Sequence, residues 1–148
     1  MPSFAVKHLV SQHGPVMAKL NEIRKTPYSY TSKHSEANEA AKGNYVYVIE
    51  VHREGGQTAY SLAYKYRATE AFKRPGALWK DEFIYKNSST PGDKAEGAYF
   101  EKPVEIDLHN FNSWFLSLPP GMAEIPSHLV LELDSIIENP VNEAKRFV

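Results

Sequence analysis

GNYVYVIEVHREGGQTAYSLAYKYRA, residues Gly43 to Ala68, is the stretch that decides the fold. Tyr45 to Val51 crowds β-branched and aromatic side chains into a short run, the composition of a strand. A second run begins at Thr58, where Tyr60, Leu62, Tyr64 and Tyr66 alternate with Ser61, Ala63, Lys65 and Arg67. A period of two puts the aromatic set on one face and the small or basic set on the other. Gly55-Gly56, between the runs, supplies the positive φ of a tight reversal, so the stretch reads as a β-hairpin. The first strand is apolar on both faces except at Glu50, as a central strand covered on both sides would be, whereas the second is expected to be half covered.

On the N-terminal side, Phe4 to Val10 is a strand candidate. Gly14-Pro15 then opens a helix with Val16, Leu20 and Ile23 on one face and Met17 beside them, and Pro27 stops it near Lys25. Tyr28 to Ser32 reads as a polar aromatic loop. Ser32 is placed to cap an alanine-rich helix over Lys33 to Lys42, closed by Gly43.

On the C-terminal side, Lys73-Arg74-Pro75-Gly76 reads as a loop and Glu82 to Tyr85 as a strand, followed by a long polar loop from Asn87 to Gly97. Val104, Ile106 and Leu108 alternate with acids in a strand begun by Pro103. Phe111, Trp114, Phe115 and Leu118 suggest a helical turn. The strongest helix starts at Pro126 and carries Leu129, Val130, Leu133, Ile136 and Ile137 as a core stripe until Asn139-Pro140. Val141 to Val148 is expected to be a short helical tail or a frayed end. These elements predict one α+β domain over 1–148. Its small, strongly curved, mainly antiparallel sheet of about five strands either closes into a barrel or lies open with helices on one face.

Composition narrows the function classes. The 148 residues contain no cysteine, which excludes disulfides, thiol nucleophiles and cysteine zinc sites. The chain lacks an apolar run of membrane-spanning length and a signal-peptide pattern, so a soluble, cytoplasmic protein without a membrane partner is expected. The net charge of -1 divides unevenly: residues 1–102 hold 15 Lys and Arg against 11 acids, and residues 103–148 hold 2 against 7. A basic body with an acidic C-terminal part suits a polyanion on one side only.

No phosphate-binding glycine loop or nucleophile elbow occurs. The six histidines are scattered over the chain without His-x-x-x-His spacing, and neither a metal nor a cofactor is expected from them. Glu50, Asp81, Glu82 and Lys86 form the one set suited to metal-dependent nuclease chemistry, although the simpler reading pairs Glu50 with Lys65 or Arg67 across the hairpin. The richest feature is aromatic residues interleaved with cations: Tyr64-Lys65-Tyr66-Arg67, Lys73-Arg74, Trp79-Lys80, Tyr85-Lys86 and Tyr99 to Lys102. π-faces beside cations stack bases and neutralise phosphates.

The helix ending at Gly43-Asn44, the strands Tyr45 to Val51 and Ala59 to Ala68, the turn Arg74-Pro75-Gly76 before Trp79-Lys80, the Lys102-Pro103-Val104 strand and the closing helix with Leu129 and Leu133 together resemble the PUA-like group, in particular its EVE and ASCH type domains. That resemblance covers about 100 residues. It implies a curved barrel that binds RNA or modified DNA bases without catalysis. It also implies a pocket in which Ser32, Lys33, Tyr66, Arg67, Trp79 and Lys80 contact a flipped or unpaired base. Two other classes fit the chain: a small α+β enzyme such as a metal-dependent nuclease, and a protein-interaction or inhibitor domain that sets its acidic C-terminal part against a basic protein partner.

Overall fold

The structure, a computed structural model, describes residues 2–22, 27–31, 40–74, 82–86, 96–118 and 121–147, with backbone alone at 30–31, 70–74 and 82–86. The predicted hairpin is present. β3 (Tyr45–Glu54) and β4 (Gln57–Arg67) pair antiparallel around Gly55 and Gly56, whose φ values of 56° and 79° are those a two-residue reversal demands.

β3 is central, as its two-sided apolar pattern requires. β1 (Ser3–Leu9) lies along its other side, and the pairing is parallel, in the register Ser3 to Tyr45 through Leu9 to Val51. With β7 (Gly97–Glu105), β8 (Met122–Glu124) and β9 (Lys145–Arg146) these strands form a six-stranded mixed sheet, in the order β8-β1-β3-β4-β7-β9. The sheet ends in short strands at both edges and does not close on itself. The expected barrel is therefore replaced by an open sheet, which is mainly antiparallel as expected and mixed only through the parallel β1/β3 pairing. The parallel pair was hidden because its partners lie about forty residues apart and are joined through helices rather than a turn.

A bulge divides the second strand of the hairpin. Val48 faces Tyr64 but Ile49 faces Leu62, so Ala63 is an extra residue and the strand rolls over at that point. Tyr60 and Leu62 consequently pack on one side of the sheet, and Tyr64 and Tyr66 on the other. The single aromatic face expected from simple alternation is thus two half-faces. β4 is covered on both sides from Tyr60 to Tyr64 rather than half covered.

Helices cover both faces, where the sequence suggested one. α1 (Val10–His13) and α2 (Val16–Glu22) follow β1, and α2 turns Val16, Met17 and Leu20 into a core with Phe4, Val6, Val46, Val48, Tyr64 and Tyr66. α3 (His109–Leu116) and α4 (Ser127–Glu138) close the other face: Phe111, Phe115, Leu129 and Leu133 meet Tyr47, Ile49, Val51, Tyr60 and Leu62. The stripe predicted on α4 is borne out, with Leu129 and Leu133 buried and Val130, Ile136 and Ile137 packed beside them. Asp134 fixes this layer, accepting hydrogen bonds from the buried Tyr47 hydroxyl and from Lys65 Nζ at 2.9 Å. Burial and the neighbouring carboxylate push the Tyr47 phenol far above its ordinary range.

Four further segments differ from expectation. Tyr28 to Thr31 is a strand, β2, and Lys73-Arg74 ends another, β5 (Glu70–Arg74), rather than belonging to a loop. β2, β6 (Glu82–Lys86) and β5 form a second, antiparallel sheet in that order. Two buried tyrosines of β4 tie it to the main sheet: the Tyr64 hydroxyl donates to the Tyr28 carbonyl, and the Tyr66 hydroxyl lies 2.6 Å from Ser29 Oγ. Pro103 stands inside β7, where the register to β4 breaks, instead of starting a strand. The tail is a 3-10 turn at Pro140–Asn142 followed by β9, and Phe147 is buried against Tyr64 and Tyr99. The helix expected over Lys33 to Lys42 falls mostly outside the described residues, as does the polar loop after Asn87.

Gly97, the first residue of β7, has φ of 133°, and a Cβ there would lie 1.9 Å from the Lys65 carbonyl oxygen. Backbone packs on backbone at this point, which no other residue type allows.

Candidate functional site

The C-terminal ends of parallel strands gather side chains that local sequence keeps apart, and the described residues hold one parallel pair. His8 of β1 stands beside Glu50 of β3 in the register, and His52 follows Glu50 by two residues, hence on the same face. Glu50 is 2 % exposed. Its Oε2 accepts a 2.9 Å hydrogen bond from the Val16 backbone N–H, and its Oε1 lies 3.6 Å from His52 Nε2. His52 is partly open to solvent, with 40 % of its side chain exposed. His8 Nε2 is 2.7 Å from the Gly14 carbonyl oxygen, and the His8 and His13 ring centres are 5.7 Å apart.

A buried carboxylate is costly unless it is hydrogen-bonded or paired. Here the Val16 N–H and the His52 imidazole meet it. The first holds the start of α2 against the strand ends, and the second lies at the partly open surface. Burial lowers the His8 pKa most. The Gly14 carbonyl and Glu50 pull it upward, while His13 and Lys19 add to the lowering. His8 is thereby favoured in its neutral form, with Nε2–H donating to Gly14.

On the opposite face of the same strand end, Lys7 Nζ donates to the Leu118 carbonyl at 2.9 Å and lies 4.9 Å above the Phe115 ring. Burial and then Arg53 lower its pKa.

The residues singled out for a base pocket fall differently. Ser32, Lys33, Trp79 and Lys80 lie outside the described residues. Tyr66 has no exposed surface and its ring belongs to the core, so it presents no face on which a base could stack. Its place in a pocket is corrected to that of a core residue anchoring β2. Arg67 donates from Nε to the Gly43 carbonyl at 3.1 Å and pairs with Glu96 at 3.4 Å, binding the entry to β3 against the entry to β7.

Glu50 pairs with neither Lys65 nor Arg67, because it points to the α2 face whereas Lys65 reaches Asp134 on the α4 face. Of the proposed acidic set, Asp81 is outside the described residues and Glu82 and Lys86 are described by backbone alone. Among the described residues no three His, Asp or Glu side chains are placed to hold a metal ion, and no helix is long and apolar enough to cross a membrane.

The gathering of His8, His13, Glu50 and His52 was missed in the sequence. Its one local signal was Glu50 in an otherwise apolar strand with His52 two residues on, and the histidines join it only through the parallel register. Comparison of the chain with protein-family models, curated proteins and solved structures finds no match.

Proposed function

We propose that this domain binds nucleic acid through the sheet β2-β6-β5 and the residues that join β5 to β6. The register of that sheet carries the reading. Lys86 stands opposite Tyr28 and Glu70, Tyr85 opposite Ser29 and Ala71, Ile84 opposite Tyr30 and Phe72, and Phe83 opposite Thr31 and Lys73. Three short strands thus bring five aromatic positions together with Lys73, Arg74 and Lys86. Residues 75–81, between β5 and β6, add Trp79 and Lys80 in sequence. Aromatic rings with cations between them bind unpaired bases and neutralise the backbone with little regard to sequence. The positive balance of residues 1–102 supports the same reading. A PUA-like mode, in which one flipped or modified base is held near Trp79 and Lys80 and read without chemistry, is the finer form of this proposal.

Changing Lys73 and Lys86 to Gln tests it. Each lost phosphate contact is expected to weaken binding to every sequence alike and to flatten the dependence of log affinity on log salt by about one per lysine. Unchanged affinity and slope in the folded double variant would remove this sheet from the interface.

A second reading rests on the acidic C-terminal part, where Leu116, Leu131 and Val141 are 66 %, 72 % and 83 % exposed. Apolar side chains within a net negative segment suit a basic protein partner.

A further inference from the structure

We propose that the end of the β1/β3 pair is a metal-independent acid–base centre that cleaves RNA, with His52 as general base, His13 as general acid and Glu50 as the residue that positions His52. The inference rests on the nucleic-acid reading and adds chemistry to it.

His52 turns Nε2 toward the buried Glu50 carboxylate, which favours the proton on that nitrogen and leaves the Nδ1 lone pair for a substrate. Glu50 is itself held by the Val16 N–H, so the pair has a fixed base rather than two mobile surface side chains. His13 is half-buried beside His8, whose own Nε2 is occupied by the Gly14 carbonyl. One partly open imidazole backed by a carboxylate on β3 and a second imidazole at the last residue of α1, beside His8 of β1, are the groups that a two-proton transfer needs. Lys19, exposed on α2 and close enough to act on the His8 charge, supplies a cation for a phosphate.

RNA is the substrate such a centre suits, because the ribose carries its own nucleophile. His52 Nδ1 takes the proton of a 2′-hydroxyl as that oxygen bonds to the adjacent phosphorus. The bond from phosphorus to the 5′ oxygen breaks, its electron pair leaves with that oxygen, and the oxygen takes a proton from the protonated His13. The products are a 2′,3′-cyclic phosphate and a 5′-hydroxyl. The proton gained by His52 then returns through solvent to His13, so the step needs no other reactant. DNA lacks the 2′-hydroxyl and is bound without being cut.

The test is cleavage of a labelled single-stranded RNA and of the same sequence as DNA, in EDTA, alongside binding of each by fluorescence anisotropy. The expected result is RNA cut to cyclic-phosphate ends and DNA left intact. His52→Asn and His13→Asn should each lower kcat by about 100-fold or more with RNA affinity kept. Glu50→Gln should lower kcat while KM stays; if that variant does not fold, the variants of the two half-buried histidines carry the test. RNA that is bound but never cut, or cutting that survives both histidine substitutions, overturns the centre and leaves the binding reading standing. An absence of RNA binding overturns the binding reading and the centre together.

Discussion

At the scale of single residues, His8 and Glu50 show how a strand end is closed with polar groups. His8 reaches the Gly14 carbonyl and Glu50 the Val16 N–H, so the turn between α1 and α2 is bonded to both parallel strands. This gives stability a pH dependence. Burial holds the His8 pKa below its ordinary 6.5 against the upward pull of Gly14 and Glu50, with His13 and Lys19 nearby. The unfolded chain therefore takes up a proton at pH values where the folded protein does not. Stability rises with pH through that window and is lost as the pH falls below about 6.5, levelling off under the depressed folded value. His8→Gln keeps a donor for Gly14 but does not titrate, so urea unfolding across this range should show a shallower pH slope than the wild type. Superimposable slopes would show that His8 is not held neutral. None of this was legible from the sequence, where His8 and Glu50 are forty-two positions apart and read as unrelated.

At the scale of elements, the hairpin and α4 were legible because their signals are local. Gly55-Gly56 sits between two apolar runs, and Leu129, Val130, Leu133, Ile136 and Ile137 repeat at helical spacing. The bulge at Ala63 was not legible, since alanine fits an alternating pattern on either face. Deleting Ala63 would make the β3/β4 register continuous while strict alternation still put Tyr60 and Leu62 on the α4 side and Tyr64 and Tyr66 on the α2 side. The expected outcome is a variant that keeps a cooperative thermal transition and native near-ultraviolet circular dichroism. A deletion variant without a cooperative transition would contradict the two-faced reading of β4. β2 and β9 were missed for the same reason as the bulge: short strands gain their identity from partners distant in the chain, Tyr28 to Thr31 from β6 and Lys145–Arg146 from β7.

For the whole molecule, an open mixed sheet with helices on both faces carries a small second sheet hung on the Tyr64 and Tyr66 hydroxyls. The α+β class was legible from the alternation of strand and helix patterns. The two-sided covering was legible for β3 from its apolar residues on both faces, but not for β4, where it depends on the bulge. The candidate site was legible only in part. The aromatic and basic sequence around residues 70–86 is visible in the chain, whereas the acid–base cluster exists only once β1 lies beside β3. The molecule thus offers two regions of different character, a small sheet rich in aromatic and basic positions and a strand end with a buried carboxylate and three histidines.

The most direct measurement is fluorescence-anisotropy titration of the purified protein against labelled single-stranded RNA, single-stranded DNA and duplex DNA with and without a modified base, each at two salt concentrations. Saturable binding to at least one of them that weakens steeply as salt rises is predicted, as phosphate contacts through Lys73, Arg74 and Lys86 require. No binding to any of them at micromolar protein and low salt would contradict the account.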